Sequence, residues 1–332
     1  MLTIQPPVLA VVAAVGLDLL IGDPLWMPHP VVVMGWWIQT LRSRLEPWAG
    51  ERPLQLRLAG LLITLLLISG SALAGWFVER LTQQVPPLGW PLLVVALASA
   101  LAGRSLRTSV MAVLEALPPS EATELTSARK HLSWIVGRDV QQLDEAGIIR
   151  ACAETASENA VDGIFAPLAW MAAGCLLWSL NSAAPGPLAL AWAFKASSTI
   201  DSMLGYREGR LRWLGTAGAR LDDALTWLPC RLVMATLPLV SRPWPQWWRL
   251  VLAAERDGSS DPSPNAGRSE AIYAHCAGVR LGGRNRYGRG WIDKPLLAAD
   301  QPAATKNSVE KILQLNLRLQ GMWMLILLGL GQ

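Results

Sequence analysis

Four groups of residues in this 332-residue chain have the types and spacing that carry chemistry. The first is Arg150, Glu154, Glu158 and Asp162, one every fourth residue. On a helix that spacing lines one stripe about 120° wide. Three carboxylates beside a single arginine repel one another, which suits a bound divalent cation such as Mg²⁺ with its oxygen ligands. A solvated stripe leading into the apolar run at 164 is the plainer alternative. The second group is Lys195, Ser198, Thr199, Asp201 and Ser202. A lysine among hydroxyls suits a phosphate or carboxylate, and a Lys195–Asp201 pair that merely satisfies buried charge fits as well. The third is Arg220-Leu-Asp222-Asp223 with Pro229-Cys-Arg231 behind it. Adjacent acids hold a metal or position an amine, and Arg231 clamps a phosphate; a local Arg220–Asp223 salt bridge is the alternative. The fourth is the stretch 257–295, where Gly278, Gly282, Gly283, Gly288 and Gly290 alternate with Arg280, Arg284, Arg286 and Arg289. Backbone N–H nests beside guanidinium groups make anion sites, whereas a basic loop lying on anionic lipid needs only the charge.

Other chemistries are excluded. No GxxxxGK[ST] loop occurs anywhere,. His29, His131 and His275 are isolated, and Cys152, Cys175, Cys230 and Cys276 are far apart with no CxxC pair. A zinc ribbon, a disulfide framework and a histidine triad are therefore ruled out.

The elements that must position these groups are apolar. The chain is 52% hydrophobic and 16% charged, against about 25% charged in an ordinary soluble domain. Its mean hydropathy is +0.31, and its 17 tryptophans lean toward a bilayer interface,. Runs at 8–22, 58–78, 88–103, 164–180, 188–204 and 314–330 approach or reach the ~20 residues of a membrane span. The run 225–254 is broken by Arg231, Pro238, Pro243 and Pro245, and reads as two short arms or a re-entrant hairpin. Arginine crowds the connections at 42–57, 104–150, 205–224 and 255–311, while 181–187 has no charge. Counting spans puts every basic connection on one side, the cytoplasm by the positive-inside rule, and the N-terminus outside. The expectation is an all-α, polytopic integral membrane protein of one membrane-embedded domain, 1–332, with large cytoplasmic loops at about 104–160, 205–224 and 255–311. A nucleic-acid partner is excluded; self-association is left open.

Several segments, in order, resemble one family. They are Asp18-Leu-Leu-Ile-Gly22-Asp23-Pro24, Pro28-His29-Pro30, Gly103-Arg104-Ser105-Leu106 and Ser133-Trp134-Ile135-Val136-Gly137-Arg138-Asp139. Glu154-Thr155, Glu158-Asn159, Val161-Asp162-Gly163 and Ala166-Pro167-Leu168 follow. Next come Lys195-Ala196, Asp201-Ser202-Met203, Gly205-Tyr206, Ala219-Arg220-Leu221-Asp222-Asp223 and Arg231-Leu232. Ser263-Pro264-Asn265, Leu281-Gly282-Gly283, Tyr287 and Lys294-Pro295 close the series. Together they resemble the membrane-bound adenosylcobinamide-phosphate synthases of cobalamin biosynthesis, the CobD/CbiB family. Ala160, Ser198, Thr226, Cys230 and His275-Cys276 depart from its usual pattern, all beside the charged groups rather than among them.

The resemblance implies a bacterial cytoplasmic-membrane enzyme with its active site on the cytoplasmic face. It implies an acid–amine ligase that uses ATP and Mg²⁺ to join adenosylcobyric acid, a corrinoid, to (R)-1-amino-2-propanol phosphate or to aminopropanol. The resemblance marks positions; the roles are read from their chemistry. Glu154, Glu158 and Asp162 are expected to hold Mg²⁺–ATP. Arg104, Arg138, Lys195 and Arg231 are expected to clamp phosphates, with Asp201, Ser263, Asn265 and Lys294 also binding substrate. Asp222 or Asp223 is expected to orient the amine beside Lys195. A transporter and a non-catalytic membrane sensor are the competing readings. No internal repeat supports the first, and the intact acidic motifs speak against the second.

Overall fold

The structure, a computed structural model, describes residues 4–24, 26, 28–118, 124–241, 244–287 and 290–332; Pro243, Gly288 and Arg289 lie outside the described residues. In chain order the helices are α1 (Pro6–Leu20), α2 (Pro30–Ala49), α3 (Pro53–Gln84), α4 (Pro86–Ala98), α5 (Gly103–Glu115), α6 (Thr126–Leu132) and α7 (Glu145–Ala160). A π-helical turn, Val161–Phe165, leads into α8 (Ala166–Leu180), followed by α9 (Pro187–Leu204), α10 (Leu211–Leu214) and α11 (Thr216–Ser241). A 3₁₀ turn, α12 (Trp247–Gly258), α13 (Ala266–Ala277), an antiparallel hairpin of β1 (Leu281–Tyr287) and β2 (Gly290–Leu297), and α14 (Lys306–Leu330) complete the chain. The contacts divide the chain into two compact units.

The first unit comprises the described part of Met1–Ala102, Ala166–Thr226 and Met324–Gln332. Proline starts α1, α2, α3, α4 and α9, since its fixed φ suits the first helical position and its missing N–H is unpaired there anyway,. The core joins α2, α3, α9 and α10 through Met34, Ile38, Leu56, Ile63, Ile200 and Leu214. Close approach rests on small residues, as in membrane helix pairs. A Cβ on Gly75 of α3 would lie 2.8 Å from the Ala189 backbone of α9. One turn on, the buried Glu79 side chain accepts hydrogen bonds from the N–H groups of Gly186 (2.8 Å), Leu188 (2.7 Å) and Ala189 (3.0 Å). It caps α9 from another helix.

The second unit comprises Gly103–Phe165 and Trp227–Trp323. Asp144 caps α7 by accepting from Gly147 N–H at 2.8 Å,. The π-helical turn precedes Pro167, which cannot donate to the carbonyl four residues back; widening the turn accommodates that loss,. Gly278, with φ +73°, ends α13, and the hairpin begins three residues later with a bulge at Gly282/Gly283 (φ +79° and +90°). Both values favour glycine.

Five helical runs are long and apolar enough to cross a membrane: Pro53–Gln84, Pro86–Glu115, Glu145–Leu180, Thr216–Ser241 and Lys306–Leu330. The protein is therefore a multi-pass membrane protein of the expected helical class. Four details differ from expectation. The run 8–22 forms only the 15-residue α1, and 188–204 forms α9, whose Lys195 and Asp201 lower its apolarity below that of a spanning helix. The run 225–254 does divide into two arms, but only after Ser241: α11 continues through Arg231 and Pro238, and α12 begins at Trp247, whose indole N–H donates back to the Ala235 carbonyl at 2.6 Å. Finally, the arginine-rich connections are folded. Segment 104–160 holds α5, α6 and α7, 205–224 holds α10 and the start of α11, and 255–311 holds α13 and the hairpin.

Candidate functional site

In the second unit, β1 is fastened to α7 by buried charge. Glu154, 3% exposed, pairs with Arg138 through Oε2 and accepts the Gly282 N–H on Oε1 at 2.9 Å. Arg150 Nε lies 3.7 Å from the same Oε1. The two arginines converge on the buried Asn285 side chain, at 2.6 Å from Arg138 and 2.9 Å from Arg150. Arg150 also donates to the carbonyls of Gly282 and Arg284, both at 3.0 Å. The positive-φ glycines of the bulge turn these backbone groups toward α7. Arg138 and Arg150 thus hold a carboxylate and a strand edge; charge-assisted guanidinium bonds of this kind are the strong class.

One turn further along α7, Glu158 is half-buried and its carboxylate accepts no hydrogen bond among the described residues. It stands near Glu270 of α13, whose carboxyl is buried and bonded to Lys294 Nζ at 3.2 Å. Burial pushes the Glu270 carboxyl well above the ordinary carboxylate range, the Glu158 charge adds to this, and Lys294 opposes both,. Lys294 also lies 3.9 Å from Asp261.

The expected wall of three carboxylates does not form. Glu154 is occupied by guanidinium and amide partners, and Asp162 sits in the π-helical turn, within electrostatic reach of Cys230. Among the described residues no three His, Cys, Asp or Glu side chains come close enough to hold a metal ion.

Arg231, Ser263 and Asn265 are brought together at the start of α13. Arg231 donates to the Asn265 side chain at 2.7 Å and to the Pro264 carbonyl at 2.9 Å, and its guanidinium stacks 4.9 Å from the Trp227 ring centroid. Ser263 Oγ accepts from the N–H groups of Asn265 and Ala266, both at 3.2 Å. Arg268 adds two bonds to Glu255, at 2.8 and 2.6 Å, and one to Pro264 O at 3.0 Å. Arg104 is the second residue of α5 and is exposed.

The remaining predicted residues belong to the first unit. Lys195 and Asp201 lie on α9, Asp222 and Asp223 on α11, and all four are half-buried and engaged in polar interactions. The alternative salt bridge Arg220–Asp223 is not made; Arg220 is exposed and forms no ion pair among the described residues.

Sequence reasoning missed Asn285, Glu270, Asp261 and the His275–Asp257 pair (2.9 Å). Asn285 is polar between arginines and reads as solvated, and nothing in Arg268-Ser-Glu270 announces burial. The one available signal was Lys294, a cation predicted to bind without a named counter-ion.

Comparison with known proteins assigns the chain's lineage. The CobD/Cbib protein family model matches residues 11–316. A "Cobalamin biosynthesis protein CobD" of Synechocystis is 39% identical over 304 residues, covering 90% of this chain and 85% of the relative. One from Pelobacter propionicus is 38% identical over 311 residues, covering 90% and 89%. A "Cobalamin biosynthesis protein CbiB" of Salmonella typhimurium is 36% identical over 304 residues, with the same coverage. No solved structure matches. The chain belongs to the CobD/CbiB family.

Proposed function

We propose that this member of the CobD/CbiB family is the acid–amine ligase of cobalamin biosynthesis. It joins the free propionate of adenosylcobyric acid to the amine of (R)-1-amino-2-propanol phosphate, or of aminopropanol. The match along 11–316 carries this reading, because it spans every charged residue placed above.

Mg²⁺–ATP, when bound, supplies the phosphoryl group that turns the carboxylate oxygen into a leaving group. A cation held together with a triphosphate takes only one or two protein carboxylates. Glu158, half-buried and without a hydrogen bond among the described residues, fits that requirement, with Asp162 as the second candidate. Glu154 does not fit, since Arg138 and Gly282 N–H already hold its oxygens. The task of Glu154 is to keep Arg138 and Arg150 extended beside the glycine-rich strand, where guanidinium and backbone N–H groups suit phosphate oxygens.

Lys195 supplies a positive point charge for a phosphate. Asp222 or Asp223 accepts a proton from the ammonium group of the aminopropanol substrate and so leaves its nitrogen nucleophilic. Asp201 sits one turn and a half beyond Lys195 on α9, in the same segment of substrate-binding residues. Arg104, exposed at the start of α5, contributes a guanidinium suited to a phosphate, whereas Arg231, Ser263 and Asn265 act by holding the α12–α13 turn together,. The arginine-rich segments, read by the positive-inside rule, support an active site on the cytoplasmic side of the bacterial inner membrane.

The test is conversion of adenosylcobyric acid by detergent-purified protein, with ATP, Mg²⁺ and each amine in turn, followed by mass. An amide product that requires ATP is expected with at least one amine. No ATP-dependent product with either would overturn the assignment.

A further inference from the structure

We propose that Arg150 and Asn285 form a phosphate-binding point beside the glycine bulge of β1, with Asn285 holding the guanidinium in place without cancelling its charge. The source of the phosphate rests on the ligase reading above; the binding point itself rests on the geometry of α7 and β1. The charge of Arg150 is incompletely answered. Its Nη groups donate to the Gly282 and Arg284 carbonyls and to Asn285 Oδ1, all neutral oxygens. Its one ion pair among the described residues is with Glu154 Oε1 at 3.7 Å, an oxygen that already accepts the Gly282 N–H at 2.9 Å. The other oxygen of that carboxylate holds Arg138. Arg150 Nε is buried and makes no hydrogen bond among the described residues. A buried charge ordinarily has a hydrogen-bonded counter-charge, so the partner this guanidinium calls for is an anion.

Asn285, 1% exposed, points the same way. Its Oδ1 accepts from Arg138 at 2.6 Å and from Arg150 at 2.9 Å, which fixes which end of the amide is oxygen. The Nδ2 group is left without an acceptor among the described residues, although buried polar groups are nearly always bonded. Two unanswered donors beside an unanswered positive charge suit a phosphate, which brings several acceptor oxygens and its own charge. An aspartate at 285 would accept the same two guanidinium bonds but would neutralise Arg150. The asparagine orders both arginines and leaves the charge for a ligand.

The point is reachable. The Arg150 side chain is 26% exposed. A Cβ on Gly283 would stand 3.3 Å from Arg150 Nη1, so the glycine keeps that side of the guanidinium uncovered. Along Glu145–Leu180 the apolar part begins after Asp162, and the stretch from there to Leu180 approaches the ~20 residues of a hydrocarbon core. Arg150 precedes that stretch by three turns of helix, where a water-soluble anion has access.

Binding is read by calorimetry on the full-length protein in detergent, without Mg²⁺, so that Glu158 and Asp162 do not contribute. The probes are tripolyphosphate, standing for a nucleotide, and aminopropanol phosphate, with free aminopropanol as the control. Wild type should bind at least one phosphorylated probe, more weakly as salt rises. Asn285→Asp should weaken that probe at least tenfold, while the unfolding temperature holds or rises and trypsin still spares Arg284 and Arg286. Arg150→Lys keeps the charge but loses the planar fork, and should weaken it about three- to tenfold. The probe that loses affinity identifies the source of the phosphate. No binding of either probe by wild type, or equal affinity in Asn285→Asp, would overturn the proposal, and wild-type affinity in Arg150→Lys would do the same. Because no turnover is needed, an absent amide product would count against the ligase reading and leave the binding result standing.

Discussion

Glu79 and Glu154 are both buried carboxylates on long helices, and both pin a connecting segment, yet their partners differ in kind. Glu79 takes three backbone N–H groups from the start of α9. Around it Trp76, Arg80 and Gln83 bond the carbonyls of Ser182 and Ala183, so the uncharged turn 181–187 is held by the end of α3. Glu154 takes one N–H and two guanidinium groups. Backbone donors at a helix start have no other use, so the Glu79 cluster is architecture. Guanidinium donors re-pair readily between carboxylate and phosphate, so the Glu154 network is architecture that an anionic substrate can address. Burial and charge alone do not separate the two; the identity of the donors does.

The largest expected effect tests that distinction directly. Glu154→Gln keeps the shape but leaves Arg138 and Arg150 facing an amide. Removing one partner of a buried ion pair costs about 3–5 kcal/mol. Ligase turnover should fall more than a hundredfold, and limited trypsin digestion should begin to cut at Arg284 and Arg286. Wild-type turnover with an intact hairpin would dissolve the comparison.

Glu158→Gln comes next. If Glu158 holds Mg²⁺–ATP, turnover should drop about 10–100-fold at low Mg²⁺, as for lost groups that hold or orient a metal. It should recover in part at high Mg²⁺ by mass action. Asp162→Asn, measured beside it at matched membrane expression, ranks the two candidates. Wild-type Mg²⁺ curves for both would move the cation elsewhere, with Asp222 and Asp223 the next candidates.

Glu79→Gln should act on stability alone. The amide oxygen can still accept from Leu188 and Ala189, but the NH₂ group faces the Gly186 N–H. An unsatisfied buried donor costs about 1–3 kcal/mol. The unfolding temperature in detergent should fall while turnover per folded molecule is unchanged. A loss of turnover at normal stability would make the two carboxylates alike.

Much of this was legible in the sequence. The prolines at 6, 30, 53, 86 and 187 mark helix starts because a φ fixed near −65° leaves few other places for them,. The apolar runs and the four-residue spacing on α7 were equally readable. Three things were not. Arg231 and Pro238 look like breaks, yet α11 runs through both, because neighbouring groups in a membrane bundle can satisfy the carbonyl that a proline frees. Asp162 falls in a π-helical turn rather than in α7, and a one-residue widening leaves no mark in a spacing count. The Gly/Arg stretch reads as an anion site or a loop on anionic lipid until Arg138, Arg150 and Glu154, distant in sequence, are seen to bond its Asn285 side chain and its Gly282 and Arg284 backbone. Long-range pairing decides that segment, and composition carries no long-range information.

Glu255 supplies the smallest effect and the opposite end of the scale. Its side chain is 47% exposed and bonded twice to Arg268. The Arg268 hydrogen bonds hold its carboxyl below the ordinary range, with burial working the other way. A carboxyl depressed in the folded state contributes stability that is full above its unfolded pKa and disappears as pH falls through the folded one. Exposure and salt screening limit that contribution to about 0–1 kcal/mol. Glu255→Gln should therefore lower the unfolding temperature slightly at pH 7, and the gap to wild type should close as pH drops below the usual glutamate range. Added salt should shrink the pH 7 gap, whereas the losses at Glu154 and Glu79 should persist in salt, since buried pairs are screened far less. A gap at Glu255 that matched the one at Glu79, or that ignored salt, would show that donor identity is not what ranks these carboxylates.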